Sequence, residues 1–251
     1  MIIKTDEELQ AMLEIGRICA ITLKKMSEAL EPGITTKELD MIGAEVMHAY
    51  GAQSAPMRCY NFPGFNCISV NHIVAHGIPD DYVVKPGDIV NIDVSAVKDG
   101  FYGDNSGSFA VPPIKSTVQK LLDCGKRTLE CAINAIVAGE KLNLIGRAAE
   151  KEAHRHGYKI ITNLCGHGVG HTLHDDPEAI YNYYEKGDHR IIQPGQVMAI
   201  EPFVSARDSY VVETNQDGWS LATPHRCQVV QFEHTVMARE GEPPLILTLP
   251  E

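Results

Sequence analysis

The chain has 251 residues, a formal net charge of −11, 44% hydrophobic residues and 22% charged residues, values typical of a soluble globular protein that can bury a sizeable core. The negative charge excludes a broad surface for nucleic acid or anionic membranes, because both need a basic face, and no apolar run reaches membrane-spanning length. The chain has seven cysteines without regular spacing, which predicts free thiols in a reducing compartment. Its first residues are acidic where a signal peptide would be apolar, so we expect a cytoplasmic protein.

Two helices open the predicted order of elements. Thr5 precedes three acidic residues and an apolar stripe over residues 9–30, which predicts a capped first helix. Thr35 and Glu38 have the spacing of a capping box, and the apolar residues after them predict a second helix that ends at Gly51.

A loop, a short strand and a β-hairpin follow. Residues 52–67, with two prolines and three aromatics, predict an ordered loop that lines a pocket, and residues 68–71 a strand. A long β-forming run then reaches an Asp-Gly turn signal at 99–100. In a two-residue hairpin loop Asp93 and Asp104 share one face, where their carboxylates repel each other unless a cation lies between them. We therefore expect a metal here.

The second half of the chain repeats motifs of the first. The pattern P-G-x-(I/V)-x-x-I-acid ends on Asp93 in one copy and on Glu201 in the other, and an H-x-x-P precedes each copy, at His76 and His174. Four further residues recur in order at a constant offset: Gly33, Leu39, His48 and Gly51 as Gly139, Ile145, His154 and Gly157. These matches predict two similar halves around a shared centre, and no linker divides the chain, so we expect one domain over 1–251.

The remaining elements follow from apolar periodicity and turn signals. We expect helices at about 115–137 and 144–156, a glycine-rich strand–loop–strand at 164–171, a surface loop at 181–190, β structure at 194–201, 218–219 and 229–236, and a tail at 240–251 on the surface.

Four acids stand among apolar, β-forming neighbours: Asp93, Asp104, Glu201 and Glu233. Each alone is typical of an edge or turn, but four buried carboxylates without cations would cost more than packing returns. His167 lies between two glycines, which would let a ligand approach the backbone. Four carboxylates and one imidazole exceed the needs of one small cation and predict two divalent cations, with Mn, Fe, Co and Zn all compatible.

Other chemistries have weaker support. His167 and His171 have the spacing of a helical zinc pair, but the glycines between them disfavour a helix and the expected glutamate is absent. The chain has no G-x-G-x-x-G, no G-x-S-x-G elbow and no cysteine with an obvious base. A metal pair lowers the pKa of bound water from about 15.7 toward about 7, which favours hydrolysis by hydroxide.

Together these motifs resemble type I methionine aminopeptidase over nearly the whole chain. The segments that carry the resemblance are C-I-S-V-N at 67–71, H-G-I-P at 76–79, N-I-D at 91–93, G-D at 103–104, G-H-G-V-G at 166–170, His174, I-E-P at 200–202 and F-E-H-T at 232–235. The resemblance implies an α/β (α+β) pita-bread fold, in which two pseudo-symmetric halves share a curved antiparallel sheet covered by helices. It implies hydrolytic removal of the initiator methionine ahead of a small second residue.

The resemblance also implies a role for each site residue. The implied metal ligands are Asp93, Asp104, His167, Glu201 and Glu233, with Asp104 and Glu233 bridging both ions. Glu201 would also shuttle a proton, His174 would stabilise the oxyanion, and His76 would hydrogen-bond the scissile amide nitrogen. The implied substrate-binding residues are Cys59, Phe62, Cys67, His76, Leu173, His174 and Trp219. Family members commonly have aromatic rings where this chain has Cys59 and Leu173, so we expect a modified methionine pocket.

The implied partner is the N-terminus of a nascent chain or peptide that begins with methionine. We expect a monomer, with the ribosome as a further partner, and no nucleic acid or membrane. Two alternatives stay open: a proline-specific aminopeptidase or dipeptidase of the same fold, and a non-catalytic binding protein on that scaffold. Kinetics on Met-Ala peptides and x-Pro peptides would distinguish methionine aminopeptidase from the proline-specific alternative. Metal analysis of the purified protein would distinguish it from the non-catalytic alternative.

Overall fold

The computed structural model describes residues 1–214 and 217–250. Within them lie the helices α1 (Asp6–Ala29), α2 (Thr36–Ala49), α3 (Ala55–Tyr60), α4 (Ser116–Asn134) and α5 (Asn143–Arg155). The strands are β1 (Gln53–Ser54), β2 (Cys67–Val70), β3 (Ile73–Ala75), β4 (Ile89–Lys98), β5 (Phe101–Ala110), β6 (Lys159–Ile160), β7 (Cys165–Gly168), β8 (Asp175–Tyr181), β9 (Val197–Ile200), β10 (Phe203–Ser205), β11 (Val212–Glu213), β12 (Leu221–Ala222), β13 (Val229–Gln231), β14 (His234–Met237) and β15 (Leu245–Ile246). None of the helices in this part of the chain is both long and apolar enough to cross a bilayer.

The first two helices begin with the capping boxes that the sequence predicts. The Thr5 hydroxyl accepts a hydrogen bond from the Glu8 N–H, and the Glu8 carboxylate accepts one from the Thr5 N–H. Thr35 and Glu38 make the same pair of bonds at the start of α2. Each box satisfies two backbone donors that a helix start leaves unpaired.

The two halves of the chain repeat each other in their backbone hydrogen bonds. The Gly33 N–H, after α1, donates to the Val84 carbonyl at 2.9 Å, and the Gly139 N–H, after α4, donates to the Ile192 carbonyl at 2.8 Å. Both glycines have a positive φ, 103° and 89°, which side chains with a Cβ rarely adopt. Helices α1–α2 and α4–α5 therefore form equivalent pairs, as the repeated motifs predict.

Antiparallel sheets from the two halves meet at the centre of the molecule. In the first half β4 pairs with β1, β2 and β5, and in the second half five strands run in the order β15-β14-β9-β7-β8. The Glu233 N–H donates to the Ser106 carbonyl at 3.1 Å, and the Asp104 N–H donates to Thr235 Oγ1 at 3.0 Å. These bonds join β5 to the second half at the line where the acidic residues lie.

Apolar cores hold the helices against these sheets. One buried cluster packs α1 and α2 on β4, and another packs α4 and α5 on β9 and β14. The helices thus cover one side of the sheets, and the opposite side of the β4–β5 hairpin is left for a site.

The segment 52–67, expected as a loop, contains β1 and the short helix α3. Ser54 caps α3, because its hydroxyl accepts a hydrogen bond from the Met57 N–H at 3.3 Å, and Pro56 lies in the first turn, where a missing N–H costs nothing. Asn61 ends the helix in the left-handed conformation.

Two further expectations about the second half were wrong. The strand expected at 218–219 instead lies at Leu221–Ala222, as β12, which pairs with β3. The tail is only partly on the surface, because β15 pairs with β14 and Leu247 and Thr248 are buried. The tail therefore forms the edge of the five-stranded sheet.

Candidate active site

The β4–β5 hairpin contributes two carboxylates to the site. Its two-residue turn is at 99–100, where both residues have a positive φ. Asp93 pairs with Ser106 and Asp104 pairs with Ser95, so the carboxylates are diagonal neighbours on one face rather than directly opposed. The Ser95 hydroxyl donates to Asp104 Oδ1 at 2.8 Å. The shared face was predicted, and the pairing register shows that each acid lies opposite a serine of the other strand.

His167 enters the site from β7, between two glycines whose role differs from the predicted one. A Cβ at Gly166 would lie 2.3 Å from the Ala199 carbonyl oxygen, and a Cβ at Gly168 would lie 2.3 Å from the Asp176 carbonyl oxygen. The glycines therefore make room for neighbouring backbone. They fix the position of His167 by close strand packing and do not make room for a ligand.

Two glutamates complete the polar side of the site. Glu201 directly follows β9, and Glu233 lies between β13 and β14. Gln231 Nε2 lies 3.5 Å from Glu201 Oε2 and 3.3 Å from Glu233 Oε2. Asn91 Nδ2 donates to Gln231 Oε1 at 2.7 Å, which orients the Gln231 amide so that its NH₂ group faces the carboxylates.

All five predicted metal ligands line one cavity of about 340 Å³. Ligand atoms of Asp104, His167 and Glu233 all lie within 4.8 Å of one another. His167 Nε2 lies 3.7 Å from Asp104 Oδ2 and 3.5 Å from Glu201 Oε1. Asp93 faces the same cavity. The structure thus brings together donors that are far apart in the chain.

The hydrogen bonds of the cluster fit a bound cation. His167 Nδ1 lies 2.9 Å from the Gly168 carbonyl oxygen, which can only accept, so Nδ1 carries the proton and Nε2 presents a lone pair. That lone pair faces two carboxylates, an arrangement that is repulsive without a positive charge. Asp93 Oδ1 and Glu233 Oε1 are buried and have no hydrogen-bond partner among the described residues, as expected of metal ligands.

Burial makes the charged cluster costly unless a cation compensates it. Desolvation raises the pKa of Asp93 to about 6. It also raises the pKa values of Asp104, Glu201 and Glu233 well above their usual range, and the neighbouring carboxylates add to this effect. Desolvation lowers the pKa of His167 to about 3, which keeps its imidazole neutral. Divalent cations would reverse the shifts of the acids.

His76 and His174 reach the cavity from the two halves of the chain. His76 has a φ of 55°, and the adjacent Gly77 N–H donates to Ser69 Oγ at 3.1 Å, which holds this turn on β2. Burial lowers the pKa of both imidazoles, and the proximity of His174 lowers that of His76 further. Both side chains are therefore neutral near pH 7.

The other wall of the cavity is apolar. It is formed by Pro56, Tyr60, Phe62, Cys67, Leu173 and Trp219. The rings of Phe62 and Trp219 meet edge to face, with centroids 5.2 Å apart, a favourable aromatic geometry. Cys67, Phe62, Leu173 and Trp219 thus lie where the sequence places them.

Cys59 does not line this cavity, although the family resemblance implies that it binds substrate. Its side chain is exposed, because α3 turns it away from the cavity and presents Tyr60 there instead. Tyr60 Oη lies 2.5 Å from His174 Nδ1. The ring missing at position 59 is therefore partly replaced by its neighbour.

Sequence reasoning missed three polar residues of the site: Ser95, Gln231 and Tyr60. Ser95 and Gln231 each lie two residues from a predicted acid, so side-chain alternation along a strand would have indicated them. No pattern indicated Tyr60, since its direction depends on the short helix.

Comparison with known proteins assigns the chain to a family. Residues 10–240 match the sequence model of Peptidase_M24, metallopeptidase family M24. The chain belongs to metallopeptidase family M24. It is 43% identical over 249 residues to methionine aminopeptidase 2 of Bacillus subtilis, covering 99% of both proteins, and 45% identical over 247 residues to a methionine aminopeptidase of Staphylococcus epidermidis, covering 97% of both. The structure of the chain also matches the crystal structure of methionine aminopeptidase from Rickettsia prowazekii, with a TM-score of 0.94 and 33% sequence identity. The match covers 99% of this chain and 100% of the Rickettsia chain.

These comparisons confirm the family resemblance and the pita-bread fold that it implied. M24 membership makes the protein a metallopeptidase that uses divalent metal, in agreement with the buried group of Asp104, His167 and Glu233. The M24 site therefore joins a polar, metal-binding wall to an apolar wall.

Proposed function

We propose that the protein is a methionine aminopeptidase that hydrolyses the N-terminal methionine from peptides and nascent proteins with a small second residue. The observation that carries the proposal is the convergence of five metal-donor side chains from both halves on a cavity whose other wall is apolar and aromatic. Sequence identity of 43% and 45% to methionine aminopeptidases over nearly the full chain supports it.

We assign two divalent cations to the polar wall. Their ligands are Asp93, Asp104, His167, Glu201 and Glu233. When bound, the cations would polarise the scissile carbonyl and lower the pKa of a water toward about 7. The oxygen-rich set with one imidazole suits Mn, Fe, Co or Zn, and the affinity order does not choose among them.

Different side chains around the polar wall transfer protons and stabilise the charge that develops on the substrate. The Glu201 carboxylate takes a proton from the attacking water and delivers it to the leaving amine. His174 donates a hydrogen bond to the carbonyl oxygen as negative charge develops there. His76, neutral near pH 7, hydrogen-bonds the scissile amide nitrogen from the other side of the cavity.

The apolar wall accounts for the preference for methionine. Phe62, Trp219 and Leu173 offer two rings and an aliphatic side chain to the substrate thioether, and sulfur–aromatic contacts are favourable. The cavity, of about 340 Å³, is large enough for one unbranched side chain and is also lined by the two histidines His76 and His174.

We extend the proposal to the place of action. All seven cysteines are free thiols, which supports a reducing compartment such as the cytoplasm. Nascent chains emerge from the ribosome there, and we propose that the protein acts on them as a monomer.

Peptide kinetics with metal quantified in the same sample tests this function. We expect release of methionine from Met-Ala-Ser in the presence of divalent metal, loss of this activity with a chelator, and little cleavage of a matched Ala-Pro-Ser peptide. Preference for the x-Pro peptide would replace the proposal with the proline-specific alternative. Metal-free protein without hydrolytic activity would favour the non-catalytic alternative.

A further inference from the structure

The short helix α3 holds Tyr60 in a defined position at the mouth of the cavity. Ser54 caps the helix at its start, and the same hydroxyl donates to the Phe65 carbonyl at 2.7 Å. The Asp40 carboxylate, on α2, accepts hydrogen bonds from the backbone N–H groups of Phe65 and Asn66 at 3.0 and 2.8 Å. The segment that carries Tyr60 is thus anchored at both ends.

From this position the hydroxyl of Tyr60 contacts the ring of His174. Tyr60 Oη lies 2.5 Å from His174 Nδ1, and the ring centroids are 5.7 Å apart. The backbone of His174 is held as well, because Thr172 Oγ1 donates to its carbonyl at 2.8 Å. His174 Nε2 has no hydrogen-bond partner among the described residues, and the ring lines the cavity.

The direction of this hydrogen bond decides what His174 offers to a substrate. A phenol O–H is more acidic than the N–H of a neutral imidazole, and an imidazole nitrogen is more basic than a phenol oxygen. Tyr60 therefore donates and Nδ1 accepts. A neutral imidazole carries one proton, so that proton is on Nε2. The opposite tautomer would place a lone pair of Nε2 against the substrate carbonyl oxygen.

We propose that Tyr60 is a positioning residue that holds His174 in the tautomer with the proton on Nε2, so that His174 donates to the substrate carbonyl oxygen. This inference deepens the proposed function and rests on it for its catalytic consequence. Tyr60 acts through His174 and not by contact with the reacting atoms. The hydroxyl fixes both the protonated nitrogen and the ring plane, as the hydrogen-bonded partner of a catalytic histidine commonly does.

Tyr60→Phe isolates the hydroxyl, because it keeps the ring and its apolar contacts. We expect kcat for Met-Ala-Ser to fall roughly ten- to a hundredfold, less than the 10²–10³ typical of deleting an oxyanion donor, because the donor stays but loses its orientation. KM and metal content should change less than about twofold, since the bond acts on the transition state. Tyr50→Phe, which removes a hydroxyl of similar exposure remote from the cavity, is the matched control and should leave both constants unchanged.

Nitrogen-15 NMR of histidine-labelled, zinc-loaded protein measures the tautomer of His174 and does not depend on catalytic activity. The signals of His174 are assigned by their loss in His174→Gln. We expect an unprotonated Nδ1 and a protonated Nε2 in the wild type and a mixture of tautomers in Tyr60→Phe. A wild-type kcat in Tyr60→Phe, or identical His174 signals in the two proteins, overturns the inference. If the wild type releases no methionine, the proposed function fails, and the NMR comparison still decides the tautomer.

Discussion

His167 Nε2 lies 3.5 Å from Glu201 Oε1 and presents a lone pair, not a proton, to that carboxylate. Two acceptors at this distance repel each other in a buried site. The backbone enforces the contact, because Glu201 directly follows β9 and His167 pairs with Ala199 of the same strand. The fold therefore holds an arrangement that becomes favourable only when a proton or a cation lies between the two groups, and this relationship leads to the first two predictions.

Asp104→Asn should weaken binding of divalent metal at least tenfold. A neutral amide bridges cations poorly, and even partners outside the ligand set commonly contribute 10- to 100-fold to metal affinity. Metal content after dialysis against buffered Mn²⁺ or Zn²⁺ measures the effect. Asp208→Asn is the control, because Asp208 is also buried but bonds His225 at 2.7 Å and does not line the cavity. Equal metal content in the two variants would contradict the assignment.

The metal-free protein should lose stability as the pH rises from 7.5 to 8.5. Burial raises the pKa values of Asp104, Glu201 and Glu233 well above their usual range. The native state therefore binds more protons than the unfolded state, and this contribution to stability is lost as the pH rises through the folded pKa values. The buried His167, with a pKa of about 3, opposes this trend only where histidine in the unfolded state, with a pKa of about 6.5, is still partly charged, and above pH 7.5 it is almost entirely neutral in both states.

Thermal unfolding in the presence of a chelator measures this dependence. Saturating divalent metal should flatten it, because the cations compensate the carboxylates, and Glu233→Gln should reduce its slope in the metal-free protein. A melting temperature of the metal-free wild type that rises from pH 7.5 to 8.5 would show that the acids are not held as the structure places them.

His76→Ala should lower kcat by roughly 10²- to 10⁴-fold, the range typical of a lost proton-transfer or hydrogen-bonding group at the reacting atoms. Metal content should stay normal, because His76 lines the cavity but is not among the five assigned ligands. His48→Ala, an exposed histidine on α2, serves as the control for a general effect of losing an imidazole. A metal-free His76→Ala protein would make His76 a ligand and the assigned role wrong.

Side-chain alternation in the β4–β5 hairpin, together with the internal repeat, predicted much of the site. Asp93 and Asp104 share a face in any register of a two-residue turn, so this prediction needed no knowledge of tertiary structure. The recurrence of Gly33 as Gly139 predicted the paired helices, because both positions require a positive φ. Residues fixed by local periodicity were thus predictable from the sequence.

The position of Tyr60 was not predictable, because it depends on contacts distant in sequence. A helix of six residues is unstable by propensity alone, and α3 is held by Ser54 and by the bonds of Asp40 to Phe65 and Asn66. Nor could the glycines around His167 be interpreted correctly without the strands that pack against them. Local patterns do not specify such neighbours.

Tyr60 lines the cavity and Cys59 does not, and this difference leads to a paired test of the methionine pocket. Leu173→Phe should lower KM for Met-Ala-Ser about three- to tenfold, because Leu173 lines the cavity and an added ring contact is worth about 0.5–1.5 kcal/mol. Cys59→Phe should change KM less than twofold, because Cys59 is exposed outside the cavity. Steady-state kinetics of both variants measures the difference. The reverse order of effects would contradict the pocket described above.

The most direct test of the central claim is anomalous diffraction from crystals of the protein grown with Mn²⁺ or Zn²⁺. We expect two anomalous peaks between the hairpin and the second half, each within bonding distance of some of the five side chains Asp93, Asp104, His167, Glu201 and Glu233. Crystals that bind the ion elsewhere, or that show these five side chains without any anomalous peak among them at saturating metal, would contradict it.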